Sequence, residues 1–126
     1  MNQKPIRTII YGRSIIMAGL EESMRKHKDF SVQKRIEFVS DVEQMKATDV
    51  DLFLFDNALP EVKRIESILS EKPGILTLGL DIGNRYVNVI PPKGIPIENF
   101  IDLANLIFKL INRQSEINQP IYQGEM

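Results

Sequence analysis

The sequence has no cysteine and a single histidine, His27. The first absence excludes disulfides, thiolate metal sites and cysteine nucleophiles. The second leaves no imidazole pair for a metal cluster or a proton relay. No apolar run approaches the ~18 residues needed to cross a membrane. The stretch Met1 to Arg7 is polar and carries no apolar segment of a secretory signal. Neither sign of charge dominates: 16 Lys and Arg stand against 17 Asp and Glu, a formal net charge of −1. That balance lacks the electrostatic footprint of a nucleic-acid or anionic-membrane binder. Internal repeats and low-complexity stretches are absent as well.

What the sequence does have is an ordinary globular composition, 43% hydrophobic and 26% charged over 126 residues. That is one domain's worth of chain, able to bury roughly two-thirds of the surface it exposes when unfolded. The expectation is a cytoplasmic, single-domain protein with no cofactor, no metal site, and no nucleic-acid or membrane partner.

Ile6 to Tyr11 is short, β-branched and closed by Gly12, which predicts a buried strand. Ser14 stands at an N-cap position ahead of a helix whose Ile16, Leu20 and Met24, spaced by four, should share the inner face. Val32 to Val39 alternates, with Ile36 and Phe38 on one side, and predicts a second strand. Ser40 and Glu43 have the spacing of a capping box, so a short helix should follow to about Ala47. Val50 to Phe55, interrupted only by Asp51, is the most hydrophobic strand and belongs mid-sheet with both faces covered. Pro60 should open a third helix carrying Val62, Ile65, Ile68 and Leu69. Ile75 to Leu80 and Tyr86 to Ile90 read as strands four and five, and Pro91 to Gly94 as a loop. Pro96 fits the first position of a last helix reaching about Arg113. Residues 1–113 are then one domain and 114–126 a flexible tail.

Strands alternating with helices imply a mostly parallel sheet with crossover connections. Between Leu80 and Tyr86 the chain is too short for a helical crossover, which generally needs a dozen residues. Strand five is therefore either an antiparallel hairpin partner of strand four, or the fourth helix has shrunk to a turn.

The run Asp51-Leu-Phe-Leu-Phe-Asp56-Asn-Ala-Leu59-Pro60 resembles the phosphoacceptor segment of receiver domains in two-component response regulators. In that family an acid starts the third strand, the phosphorylated aspartate ends it, and Leu/Met-Pro follows three and four residues on. Ile15 and the Gly19-Leu20 pair add a second similarity, to receivers that precede helix-turn-helix output domains. The resemblance spans roughly residues 6 to 113. It implies an α/β, flavodoxin-like, doubly wound fold with a mostly parallel five-stranded sheet and the site at the carboxyl ends of the strands. Here the fourth helix would be shortened or missing.

The resemblance also shows what is missing. The acidic pair that holds Mg²⁺ in receivers aligns with Tyr11 and Gly12, neither of which supplies a carboxylate. The hydroxyl residue ending strand four aligns with Leu78, Gly79 or Leu80. The lysine ending strand five falls on Pro91 or Pro92, with Lys93 displaced. Of the usual set only Asp56 stays. Mg²⁺ needs oxygen ligands and neutralises a transferring phosphoryl group, so this pattern implies a pseudo-receiver, non-enzymatic and independent of aspartyl phosphorylation. A working phosphoacceptor at Asp56 is the alternative. A third reading is a small-anion or nucleotide binder at Gly12-Arg13-Ser14, where a helix opens.

Arg13 stands where the metal would have been, and its guanidinium is expected to pair with Asp56 and fix one conformation. The bland expectation is that Asp56 caps a turn and Arg13 points to solvent. His27, between Lys26 and Lys28, reads as solvated surface, and Glu21, Glu22, Glu61 and Glu66 as outer helix faces with basic partners. The last helix has two apolar stripes, where covering one side of a sheet needs only one. Phe100, Leu103, Ile107 and Leu110 make the surplus stripe. They are the expected anchors of a homodimer or of docking onto a signalling partner, on a face that receivers commonly use.

Overall fold

The computed structural model describes residues 4–72, 74–81, 83–89 and 94–117. It divides into a sheet-bearing unit ending at Pro96 and a helical unit beginning at Ile97. In the first unit β1 (Ile6–Tyr11), β2 (Phe30–Ile36), β3 (Leu52–Asp56) and β4 (Leu76–Asp81) run parallel. β5 (Tyr86–Val89) is antiparallel to β4, and β6 (Gly94–Pro96) is antiparallel to β5. The sheet order is β2-β1-β3-β4-β5-β6, which is compatible with a flavodoxin-like α/β fold. The sheet thus has six strands where the sequence predicts five, and strand five takes the hairpin option. The sixth strand absorbs Pro96, which the sequence places at a helix start.

β3 and β4 are the middle strands and β1 lies beside β3; β1 and β3 present apolar side chains on both faces. Ile9, Tyr11, Phe53 and Phe55 point one way and join Ile36, Val42, Met45, Val50, Ile65, Leu69 and Ile75 in one buried cluster. That cluster draws on α2 (Val39–Glu43) and α3 (Val62–Leu69). Ile10, Leu52 and Leu54 point the other way and are fully buried too. At the amino ends of these strands Arg7 pins Asp51. Its Nη2 donates to Oδ1 at 3.0 Å, while its Nε and backbone N–H donate to Oδ2 at 3.1 and 2.9 Å. This hydrogen bonding is the main reason the Asp51 carboxyl lies below its ordinary range. The acid that opens the hydrophobic strand therefore sets the register of β1 against β3.

The short elements depart from the sequence expectations in informative ways. Ser14 caps α1 (Ile15–Arg25) as predicted, accepting the Met17 N–H at 3.2 Å. The buried side chains of α1, however, are Met17 and Met24, while Ile16 is 53% exposed. With 3.6 residues per turn, Met17 and Met24 lie two turns apart on one line, whereas a spacing of four drifts around the helix. β2 stops at Ile36, so Phe38 is the exposed N-cap of α2 and not an inward strand residue. The capping box from Ser40 is not made, since α2 already starts at Val39 with no side-chain cap. α3 begins at Val62 with Glu61 as its N-cap residue, two positions after Pro60.

The second unit carries α4 (Phe100–Ile117), which extends past the expected end at Arg113. Its start is fixed by a reciprocal pair. Asn99 Oδ1 accepts the Asp102 N–H at 2.9 Å, and Asp102 Oδ2 accepts the Glu98 N–H at 3.0 Å. The rest of the expected tail, 118–126, lies outside the described residues.

Candidate functional site

The carboxyl ends of β1 and β3 gather the residues that the sequence singles out. Tyr11 ends β1 with its ring buried, 6.3 Å from the ring of Phe53, which lies 6.3 Å from that of Phe55. Its hydroxyl donates to Glu61 Oε2 at 2.7 Å. Arg13 grips the same carboxylate as a fork, with Nη1 to Oε2 at 2.7 Å and Nη2 to Oε1 at 3.2 Å. Its Nη1 also donates to the Glu37 carbonyl at 2.8 Å.

Arg13 therefore neither locks Asp56 nor points freely to solvent. Glu61 occupies the N-cap position of α3 without capping it, which leaves both of its carboxylate oxygens to the two guanidinium nitrogens. The Arg13 hydrogen bonds, with Tyr11 helping and partial burial opposing, bring the Glu61 carboxyl down to about 2. Burial, followed by the bond to Glu61, pushes the Tyr11 hydroxyl up to about 12. Hydrogen bonding to Glu61 likewise raises Arg13.

Gly12 and Gly79 are sites of tight packing. A Cβ at Gly12 would stand 2.5 Å from Met17 Cγ and 3.0 Å from its Cβ, atoms held near the root of a fully buried side chain. A Cβ at Gly79 would meet Phe55 Cζ at 2.7 Å and Asn57 Oδ1 at 2.9 Å. A side chain added at either place would have to displace its neighbours. Met17 and the Phe55 ring fill the space.

Asp56 is half-buried at the end of β3 and its Oδ1 accepts the Ala58 N–H at 3.0 Å. Among the described residues no cation pairs with it, so it caps the following turn, as the bland expectation holds. The direction of β5 decides which strand ends lie beside Asp56. β5 enters opposite Asp81 and leaves at Val89 opposite Leu78, while Asp56 pairs with Leu80. Its carboxyl end therefore lies two residues below the Asp56 row, where a parallel strand would have ended beside it. Pro91 and Lys93 themselves lie outside the described residues.

The residue that sequence reasoning assigned to an outer helix face is Glu61, which instead organises the rim. Its signal was its position directly after Pro60, where a helix start faces the end of β1. A second ionic chain borders it: Arg35 Nη1 donates to the Gly12 carbonyl at 3.0 Å, and the guanidinium also holds Glu21 and Glu37. Among the described residues no three His, Cys, Asp or Glu side chains gather as a metal site, and no helix is long and apolar enough to cross a membrane.

On α4, Leu103 and Ile107 are buried, at 3% and 0% exposure, so these two expected interface anchors are not on an open face. Phe100 and Leu110 are half-buried, and Ile101 is exposed. No family model, curated protein or solved structure matches this chain.

Proposed function

We propose that this chain is a doubly wound, receiver-like interaction module that signals without Mg²⁺-dependent phosphorylation of Asp56. The observation that carries this reading is the state of the two metal-ligand positions. Tyr11 is committed to Glu61, and Gly12 is packed so closely on Met17 that any side chain there would have to displace it. Without those oxygens a divalent cation has no seat beside Asp56, and charge on a transferring phosphoryl group stays uncompensated. The parallel β1-β3-β4 arrangement with an aspartate ending β3 supports kinship with receivers.

The module would act in the cytoplasm by contact with a protein partner or a second copy. On α4 that role falls to the less buried Phe100 and Leu110.

The test is an amide NMR spectrum of the full chain with and without Mg²⁺ and beryllofluoride. Unchanged resonances around Asp56 are expected. Saturable shifts at Asp56 and the neighbouring turns would overturn the reading and restore a working phosphoacceptor.

A further inference from the structure

Among the described residues, three of the five exposed large hydrophobic side chains lie at the starts of α1 and α2, just after the ends of the adjacent strands β1 and β2. Ile15 is 90%, Ile16 53% and Phe38 64% exposed. Ile15 and Ile16 open α1, and Phe38 precedes α2. The two loops are tied together by the Gly12 N–H on the Ile36 carbonyl at 3.1 Å and by Arg13 on the Glu37 carbonyl at 2.8 Å. Asp56 borders the same loop, since a Cβ on Gly12 would lie 3.5 Å from Asp56 Cβ. Burying such side chains stabilises a complex in proportion to the apolar surface removed from water. Leaving them in water at one spot is the mark of a contact surface.

Charge selects what covers it. The described cations of this rim, Arg13 and Arg35, are already committed, Arg13 to Glu61 and Arg35 to Glu21 and Glu37. Among the described residues Asp56 accepts a backbone N–H and pairs with no cation. A second copy packed through this same patch would bring only the same committed cations, and an anionic bilayer would meet the carboxylate with like charge. A segment carrying apolar side chains beside a Lys or Arg meets both needs at once. We propose that Ile15, Ile16 and Phe38, with Asp56, form a docking surface for a cationic amphipathic helix of another protein. The proposal does not rest on the loss of phosphorylation: shifts with beryllofluoride would sink that reading and leave this surface as it is.

The test is a methyl and amide NMR titration of the full chain with two short synthetic helical peptides. They share one leucine face, flanked by lysine in one and glutamate in the other. The lysine peptide is expected to shift Ile15, Ile16, Phe38 and Asp56 saturably. Its affinity should fall about tenfold in an Ile15→Ser/Phe38→Ser variant and again in Asp56→Asn. Both variants change exposed or half-exposed groups, and a native-like amide spectrum checks that each is folded.

Equal binding of the two peptides, no binding, or shifts confined to another face would overturn the proposal. So would binding to phosphatidylserine vesicles through these residues. A mass that doubles on light scattering, and is restored to monomer by Ile15→Ser/Phe38→Ser, would assign the surface to a second copy instead.

Discussion

Tyr11 and Arg13 converge on one oxygen of Glu61, each at 2.7 Å, although Glu61 lies 50 and 48 residues further along the chain. One carboxylate thereby joins the end of β1, the loop into α1 and the start of α3. A guanidinium fixed to the chain and a buried phenol thus close this corner of the sheet.

Tyr11→Phe removes one donor from Glu61 while keeping the ring that packs on Phe53. Hydrogen bonds to charged groups contribute about 1.5–3 kcal/mol, and Arg13 retains its grip, so a loss near the lower end is expected. A lower urea midpoint with an unchanged slope would show it. An unaltered midpoint would mean that the hydroxyl contributes nothing net.

The same cluster fixes two pH limbs. Glu61 lies at about 2, below its ordinary 4.5. The unfolded chain therefore binds more protons between those values, and the cluster's stabilisation is lost as pH falls from 4.5 towards 2. Tyr11 lies at about 12, above its ordinary 10.0, so stability falls as pH rises between the two. Denaturation midpoints against pH should show the acid limb weakened in Glu61→Gln and the alkaline limb removed in Tyr11→Phe.

Gly12→Asp restores a carboxylate in composition but not in space. Its Cβ would press on Met17, and overpacking of this kind costs about 1–3 kcal/mol. Thermal unfolding should show the loss, and Met17→Ala in the same chain should recover part of it, a non-additivity that a double-mutant cycle measures. Gly12→Asp that is fully stable and binds Mg²⁺ would contradict the packing described here.

Arg85 has φ +58° in the β4–β5 turn. Left-handed backbone costs an L-residue roughly 1–2 kcal/mol, and glycine gives back part of that through unfolded-chain entropy. Arg85→Gly should therefore raise stability by about 0.5–1 kcal/mol, read as a higher urea midpoint.

The central strands were legible because Val50 to Phe55 is apolar at nearly every position, and only a strand buried on both faces tolerates that. Ser14 was legible as a cap because capping is local. The face of α1 was misplaced because Ile16 and Met17 are adjacent and both apolar. Only the neighbour that fills the space over Gly12 decides which turns in. Glu61 was missed for a related reason: its partners are set by the end of β1, and no local spacing encodes that meeting. The sequence narrowed strand five to two options from loop length alone. The hairpin was settled by hydrogen bonds to Leu78 through Asp81, and the three residues of β6 carry too little pattern to announce a strand.

Because β5 turns back along β4, the two outermost strands on that side hang on the sheet as a ribbon. To an engineer wishing to install phosphotransfer at Asp56, this makes the task one of chain routing. Carboxylates, a hydroxyl and a lysine can be written into a gene one codon at a time. A strand that ends at the wrong end of a sheet is moved only by rebuilding the connection that turned it.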